Sequence, residues 1–330
     1  MTNRIGLTLG DVTGVGPEVV LKALAAEASA DDFRYLLIGD SGYARRINAS
    51  VGLNLPLMEF TDWNAPGRFL LRNSLPDPLA EDLAAGATSA AHAAVAALRM
   101  GAESCLRREL DALVTAPVHK ANIIRAGYQF VGQTEFLSEI ANTKRTAMML
   151  LGQDRQGRWL RVALVTIHVP LKRVPELVTP ERITLAIELA AQSCHELGLP
   201  RARVAVCGLN PHAGESGEIG NEELAIIGPT ITTVQRRGLD VIGPLSGDTV
   251  FHHALLGEFD AVVAMYHDQG LAPLKAVAFE TGVNWTLGLP FIRSSPDHGT
   301  AYDIAGRGIA NPSSMIAALR LAKQLARRRH

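Results

Sequence analysis

The chain reads as an α/β protein with a largely parallel sheet, and three observations lead there. Apolar strand-like runs alternate with helical patterns along the whole sequence, an order that lays helices on the faces of a parallel sheet. Several of those runs are continuously apolar, as strands buried on both faces are. The length, 330 residues with no Ser/Gly linker and no charge run, suits one large sheet or two domains with more than one crossing between them, at about 150 residues per domain.

The strand-like runs are Ile5–Leu9, Tyr35–Ile38, Ala112–Thr115, Ala147–Leu151, Val162–Ile167, Val204–Cys207 and Ala261–Met265. Helical patterns cover Pro17–Ala28, Ser89–Leu110, Pro180–Leu197, Glu222–Arg237 and Pro312–Arg328. Pro17, Pro180 and Pro312 stand where a helix begins, because proline there loses no intrahelical hydrogen bond. Thr179 and Asn311 precede two of them as N-cap candidates. The segment Pro56–Pro78 is the most irregular and reads as an excursion or hairpin within a domain.

Composition narrows the function. Lys plus Arg is 32 and Asp plus Glu is 33, a formal net charge of −1, which argues against a general nucleic-acid or acidic-membrane binder. Aromatic residues are 5%, too few for a base-stacking platform. Cys105, Cys194 and Cys207 form no CxxC pair and read as reduced core thiols of a cytoplasmic protein. No signal peptide or membrane span is expected. The 30 glycines are enough to supply several turns and close backbone approaches.

Four places gather unusual residues. Gly10 to Gly16 follows a strand and opens a helix, where an anion can bind or a plain tight turn can form. Val19 breaks any dinucleotide fingerprint starting at Gly14. His168, His212 and His267 each stand just past an apolar strand, where ligands bind in open α/β sheets. Three imidazoles from three strands can hold one divalent ion with an open position. His92, His195, His252, His253 and His330 read as surface, packing or helix-end residues. Tyr266-His267-Asp268-Gln269-Gly270 reads as a ligand loop. Lys275 and Arg293 are cations in apolar stretches, either surface charges with buried stems or an anion clamp. The loop Asp297–Asn311, with three glycines and two carboxylates, can wrap a flat ligand such as adenine, with Asp303 on ribose hydroxyls.

The strings that carry these residues resemble one family over most of the chain. They are Gly10-Asp11 with Gly14-Val15-Gly16-Pro17-Glu18, Thr115-Ala116-Pro117-Val118-His119-Lys120, Gly132-Gln133-Thr134-Glu135-Phe136, Cys207-Gly208-Leu209-Asn210-Pro211-His212-Ala213-Gly214-Glu215, Ala264-Met265-Tyr266-His267-Asp268-Gln269-Gly270 and Leu287-Gly288-Leu289-Pro290-Phe291-Ile292-Arg293. They resemble the 4-hydroxythreonine-4-phosphate dehydrogenases of vitamin B6 (pyridoxal phosphate) biosynthesis. The terminal loop resembles the adenine loop of isocitrate and isopropylmalate dehydrogenases.

The resemblance implies a two-domain isocitrate/isopropylmalate dehydrogenase-like fold with a cleft between domains. Residues 1–125 with 273–330 are expected on the cofactor side, and 126–272 in the substrate, metal and dimerisation domain. It implies NAD, with NADP as the alternative, and a divalent metal on His168, His212 and His267: zinc first, with cobalt, magnesium or manganese as alternatives. Gln133, Thr134, Lys275, Asn284 and Arg293 match substrate-binding positions. His298, Gly299, Thr300, Asp303 and Asn311 match the cofactor loop. Asp248, Lys120 and His119 are candidates for the general base. The implied reaction oxidises the secondary hydroxyl of 4-(phosphooxy)-threonine to a β-keto acid, which decarboxylates to 3-amino-2-oxopropyl phosphate, in a homodimer with the site at its interface.

Two departures stand out. Gln133 replaces the family's usual histidine and bears on substrate identity, and Val12-Thr13 replaces Pro-Ala. Alternative substrates are threonate or erythronate 4-phosphate, or a carboxylated cyclic dihydrodiol. A phosphate acyltransferase-like enzyme and a non-catalytic module fit the strand-end histidines less well.

Overall fold

Apolar runs and helices alternate in the computed structural model, which describes residues 3–27 and 32–329. The chain divides into two compact units, Met1–Lys144 with Leu289–His330, and Arg145–Gly288. The first leg of the first unit runs β1 (Arg4–Thr8), α1 (Gly16–Glu27), β2 (Arg34–Gly39), α2 (Ser41–Ser50), β3 (Leu57–Glu59), β4 (Phe69–Asn73), α3 (Thr88–Leu106), β5 (Ala112–Thr115), α4 (Lys120–Arg125) and α5 (Gln133–Ile140). The second unit runs β6 (Ala147–Gln153), β7 (Trp159–Leu164), α6 (Val174–Leu177), α7 (Pro180–Glu196), β8 (Val204–Cys207), α8 (Gly228–Arg236), β9 (Val241–Leu245), α9 (Val250–Leu255), β10 (Ala261–Ala264), α10 (His267–Ala278) and β11 (Val283–Leu287). The chain then returns to the first unit with β12 (Ile292–Pro296) and α11 (Ser313–Arg328).

In the first unit the strand order is β3-β4-β2-β1-β5-β12, and every pairing is parallel. The continuous apolar runs have the expected cause. Leu36 and Ile38 of β2 join the core cluster built with α3, so strand alternation turns Tyr35 and Leu37 to the other face. There Tyr35 stacks between Phe33 and Phe69, with Lys323 and Arg327 of α11 over the Phe33 ring. In the second unit the order is β11-β6-β7-β10-β8-β9. Here β7, β10, β8 and β9 are mutually parallel, while β6 runs antiparallel to both its neighbours.

Several expectations shift. The units change over at 144/145 and 288/289, where the sequence suggested 125 and 272. Phe136 of α5 shares a cluster with Leu98 of α3 and Ile123 of α4, which keeps α5 in the first unit. Leu271 and Leu274 of α10 pack with Met148 and Leu150 of β6, and β11 pairs with β6, which keeps both in the second. Pro56–Pro78 is no hairpin: it contributes β3 and β4 as parallel strands at the sheet edge. Tyr266–Gly270 is no loop. Tyr266 is the extended N-cap of α10, and Leu271, Leu274 and Ala278 bury its apolar face. The Glu222–Arg237 helix opens as a π-turn over Glu223–Ile227 before α8. Thr179 caps α7 through the Arg182 amide, whereas Asn311 sits one residue ahead of the cap of α11 and accepts from the Ser313 amide and hydroxyl. The end of the first helical pattern, Ala28, and His330 lie outside the described residues.

The three cysteines are buried free thiols. Burial pushes Cys194 up to about 11 and Cys207 up to about 12, and Cys105 higher still, so all three stay neutral. Among the described residues no helix is long and apolar enough to cross a membrane.

The turn after β1 is sterically closed. Gly10 has φ +67°, and a Cβ there would stand 2.3 Å from the Pro117 carbonyl oxygen. Gly257, at φ +83°, has nothing within 4 Å of an added Cβ. Gly257→Ala should cost only the left-handed strain, about 1–2 kcal/mol. Gly10→Ala should cost at least about 1 kcal/mol more, because backbone must move. Denaturant midpoints of the two variants check this, and equal losses would contradict it.

Candidate active site

The carboxyl ends of β7, β10 and β8, three adjacent parallel strands, carry the three strand-end histidines of the second unit. Past β7, the Val165 amide donates to Ala264 O and the Thr166 amide to Met265 O. The Thr166 hydroxyl also donates to Met265 O at 2.7 Å. These bonds bind the two strand ends together and set the imidazoles of His168 and His267 with ring centroids 5.3 Å apart. Two imidazoles on one tetrahedral ion, with metal–nitrogen bonds of about 2.1 Å, have centroids roughly 5 Å apart. The pair therefore fits a shared ion. His267 Nδ1 lies 2.7 Å from the Asp268 carboxylate. That contact orients the ring as carboxylates orient metal-ligating histidines, with Nε2 directed away from it.

His212 sits apart from that pair. Its Nδ1 is 3.9 Å from Asp248 Oδ2, and both side chains are 60% exposed. The Ser246 hydroxyl first, and the His212 imidazole after it, hold the Asp248 carboxyl below its ordinary range. An acid so shifted is a weak proton acceptor at neutral pH. Among the described residues no group of three or more His, Cys, Asp and Glu side chains comes together around a common point.

The loop that carries His212 has an unusual backbone. His212, Ala213, Gly214, Glu215 and Ser216 have φ of 50°, 52°, 81°, 43° and 57°. Left-handed backbone costs about 1–2 kcal/mol for each non-glycine residue, so neighbouring contacts must hold this turn. Gln269 of α10 helps to place the loop's base, accepting from the Met265 amide and donating to Gly208 O, both at 2.7 Å.

In the first unit Arg293 of β12 is 2% exposed. It is no surface cation with a buried stem. Its Nε and Nη2 donate to Thr115 Oγ1 at 3.1 and 2.7 Å, and Nη2 donates to Gln133 Oε1 at 2.9 Å. Gln133, the first residue of α5, also donates through Nε2 to Ala116 O at 3.2 Å. Burial lowers the Arg293 pKa to about 10, against the opposing pull of Glu135. The guanidinium stays charged at neutral pH. Thr134, beside Gln133, is buried as well. Lys120 is exposed at the start of α4. His119 caps that helix, its Nδ1 accepting from the Asn122 amide.

Lys275 and Asn284 lie in the second unit. Lys275 on α10 sets its ammonium 5.7 Å from the Phe279 ring centroid. Asn284 on β11 has a buried Oδ1 with no hydrogen-bond partner among the described residues. An orphaned buried acceptor costs free energy, so it suits a ligand donor.

The loop Asp297–Asn311 is anchored at three points. Val15 donates to the Thr300 carbonyl at 2.9 Å, and a Cβ on Gly14 would stand 2.6 Å from that same oxygen. Tyr302 donates to the buried Asp11 carboxylate at 2.6 Å and accepts from Asn122 Nδ2 at 2.8 Å. Lys22 donates to the carbonyls of Gly308 and Ala310, and Glu18 accepts from the Ala310 amide. The first glycine loop is thus no open anion site. Its amides at Asp11, Thr13, Gly14 and Val15 already have protein partners, and the loop serves as the dock for the terminal one. Just before and between these anchors the loop leaves some groups uncommitted. Gly299 has nothing within 4 Å of an added Cβ, His298 Nε2 is buried without a partner among the described residues, and Asp303 is exposed. These features fit an adenine nucleotide.

Sequence reasoning missed Asp11, Thr115, Asn122 and Gln269. Asp11 and Thr115 each stand near the end of an apolar strand, the position that flagged the histidines. Gln269 stood inside the Tyr266–Gly270 string but was given no role of its own, and Asn122 carried no comparable signal.

Fold and site together define a mixed α/β protein with titratable groups and cations at or beside its strand ends. Comparison then gives the family. The family model described as pyridoxal phosphate biosynthetic protein PdxA matches residues 33–322, and the chain belongs to that family. It is 44% identical to a 4-hydroxythreonine-4-phosphate dehydrogenase of Geobacter metallireducens, across 98% of this chain and 96% of that one. A Bradyrhizobium diazoefficiens relative carrying the proposed name D-threonate 4-phosphate dehydrogenase is 39% identical, across 99% and 98%. The crystal structure of a 4-hydroxythreonine-4-phosphate dehydrogenase from Klebsiella pneumoniae superposes with TM-score 0.85 at 35% identity, covering 98% of this chain and all of that one. An isocitrate dehydrogenase from Methylococcus capsulatus, 15% identical with TM-score 0.52 over 99% of this chain and 88% of its own, shares the fold.

The anchored loop gives a test. Tyr302→Phe removes the donor to a buried carboxylate and should cost about 1–3 kcal/mol. Amide exchange should rise across residues 298–308 and stay unchanged in β7 and β10. Unchanged exchange in the loop would show that the Asp11–Tyr302–Asn122 network does not hold it.

Proposed function

We propose that this chain is a metal- and NAD-dependent dehydrogenase that oxidises the secondary hydroxyl of 4-(phosphooxy)-threonine. The β-keto acid formed decarboxylates to 3-amino-2-oxopropyl phosphate, a step toward pyridoxal phosphate. The observation that carries the reading is the His168–His267 pair, two imidazoles at the spacing of a shared ion, in a chain 44% identical along its length to an enzyme named for this activity.

His168 and His267 hold the ion, and His212 completes the set from a second copy of the chain, in a homodimer. Zinc suits three imidazoles best, with cobalt, magnesium and manganese as the alternatives. The ion polarises the reacting oxygen and stabilises negative charge there. Arg293 and Lys275 supply positive charge for the substrate's anionic groups, with Arg293 held in place by Thr115 and Gln133. Thr134 and Asn284 add hydrogen bonds, and the orphaned Oδ1 of Asn284 accepts from a substrate hydroxyl or ammonium. NAD is the hydride acceptor. His298, Gly299, Thr300, Asp303 and Asn311 form its loop, where exposed Asp303 accepts from the ribose diol and repels the extra phosphate of NADP. Lys120 and Asp248 stay the candidates for taking the hydroxyl proton. Of the two, Asp248 fits better as the anionic partner of His212, given its lowered pKa. The compartment is the cytoplasm, in keeping with three reduced, buried thiols.

A second reading, oxidation of threonate or erythronate 4-phosphate, has its own support. Gln133 presents an amide committed to Arg293 and Ala116, and an amide cannot take up or release a proton as histidine does. A relative 39% identical carries the proposed threonate name.

The test is NADH formation with the zinc-loaded protein and three substrates: 4-(phosphooxy)-threonine, threonate 4-phosphate and erythronate 4-phosphate. The highest kcat/KM should fall on the first, and activity should vanish with a chelator and return with zinc. Turnover confined to a hydroxy acid without the amino group would put the second reading first. Undiminished turnover after complete chelation would remove the metal.

A further inference from the structure

The loop from Gly208 to Gly220 is wrapped around one buried carboxylate. Glu223 is 3% exposed and opens the π-turn that precedes α8. Its Oε1 accepts from the backbone amides of Leu209 and Asn210 at 2.7 and 2.8 Å. Its Oε2 accepts from Asn210 Nδ2 at 2.9 Å, and the same nitrogen donates to Glu222 Oε2 at 2.7 Å. Three glycines of the segment lie close to this centre or to Asn210. A Cβ on Gly208 would stand 3.0 Å from Glu223 Oε1, and one on Gly214 2.7 Å from Oε2. A Cβ on Gly220 would stand 2.2 Å from Asn210 Nδ2. Two residues beyond Asn210 the chain enters its five-residue left-handed turn, with His212 first.

We infer that Glu223 is a positioning residue: it holds the left-handed turn that presents His212, so that the imidazole meets its ion already oriented. Charge-assisted acceptance of two successive backbone amides fixes the entry to the turn. The close approach of Gly214 to the same carboxylate fixes its middle. A carboxylate suits this place better than a carboxamide, because every contact it makes is with an N–H, and an amide nitrogen would face Asn210 Nδ2 donor to donor. The π-turn contributes by seating Glu223 one residue out of ordinary helical register, a device common at functional sites. The inference rests on the reading of His212 as a metal ligand.

The test compares wild type, Glu223→Gln and His212→Ala by zinc affinity, measured in competition with a chromophoric chelator, and by amide exchange at residues 209–218. Glu223→Gln should weaken zinc binding about 10-fold or more, the usual effect of losing a group that orients a ligand. It should also speed exchange at Leu209 and Asn210. Gly220→Ala, which displaces Asn210 without touching Glu223, should shift both readouts the same way and serves if Glu223→Gln does not fold. Unchanged zinc affinity with slow loop exchange in both variants, whatever happens to Tm, would overturn the positioning role. The metal reading is judged separately: if His212→Ala binds zinc like wild type, His212 is no ligand. The exchange data then still decide whether Glu223 holds the loop.

Discussion

The last amides and carbonyls of parallel strands have to find partners, and in the second unit that need places His168 and His267. Where β7 and β10 stop, Thr166 closes the gap by donating twice to Met265 O. Gln269 then bridges Met265 to Gly208, the residue after β8. These bonds give partners to backbone groups at the strand ends. Together they fix where the chain leaves the sheet, and therefore where His168 and His267 begin. The 5.3 Å between their rings is a consequence of how the sheet ends.

The first unit uses the same principle on longer connections. Its terminal loop, residues 297–311, is irregular backbone that has no ladder of its own. Asp11, Lys22 and Glu18, from β1's loop and from α1, give that backbone and Tyr302 their partners. The buried Arg293 shows the other side of desolvation. Taking a guanidinium out of water is costly, and Thr115 and Gln133 meet part of that cost with neutral oxygens. The Glu135 carboxylate acts on the same charge and favours the protonated guanidinium.

Much of this was legible in the sequence. Most continuous apolar runs became parallel strands, Ala147–Leu151 of the antiparallel β6 being the exception, and the position of His168, His212 and His267 just past such runs was visible because it depends on local order alone. The helix at His267 was not. Tyr266 to Gly270 is polar and glycine-containing, and the apolar face that makes it helical starts only at Leu271. Strands β3 and β4 escaped because three and five residues in a Pro- and Gly-rich segment show too little periodicity. Long-range partners were out of reach for a different reason. Asp11 and Tyr302 are 291 residues apart, and nothing in either string names the other. Glu223 stood within reach of the His212 string, but its role depends on a left-handed turn that spacing cannot reveal.

Joint ligation of one ion by His168 and His267, as proposed, is open to direct test. Cobalt(II) titration of the apo-protein, followed by its visible d–d absorption, tests it most directly, since imidazole coordination colours the ion without any substrate or nucleotide. Saturation is expected at one ion per chain, with the band lost or strongly shifted in both His168→Ala and His267→Ala. Bands and affinities unchanged in both variants would contradict it.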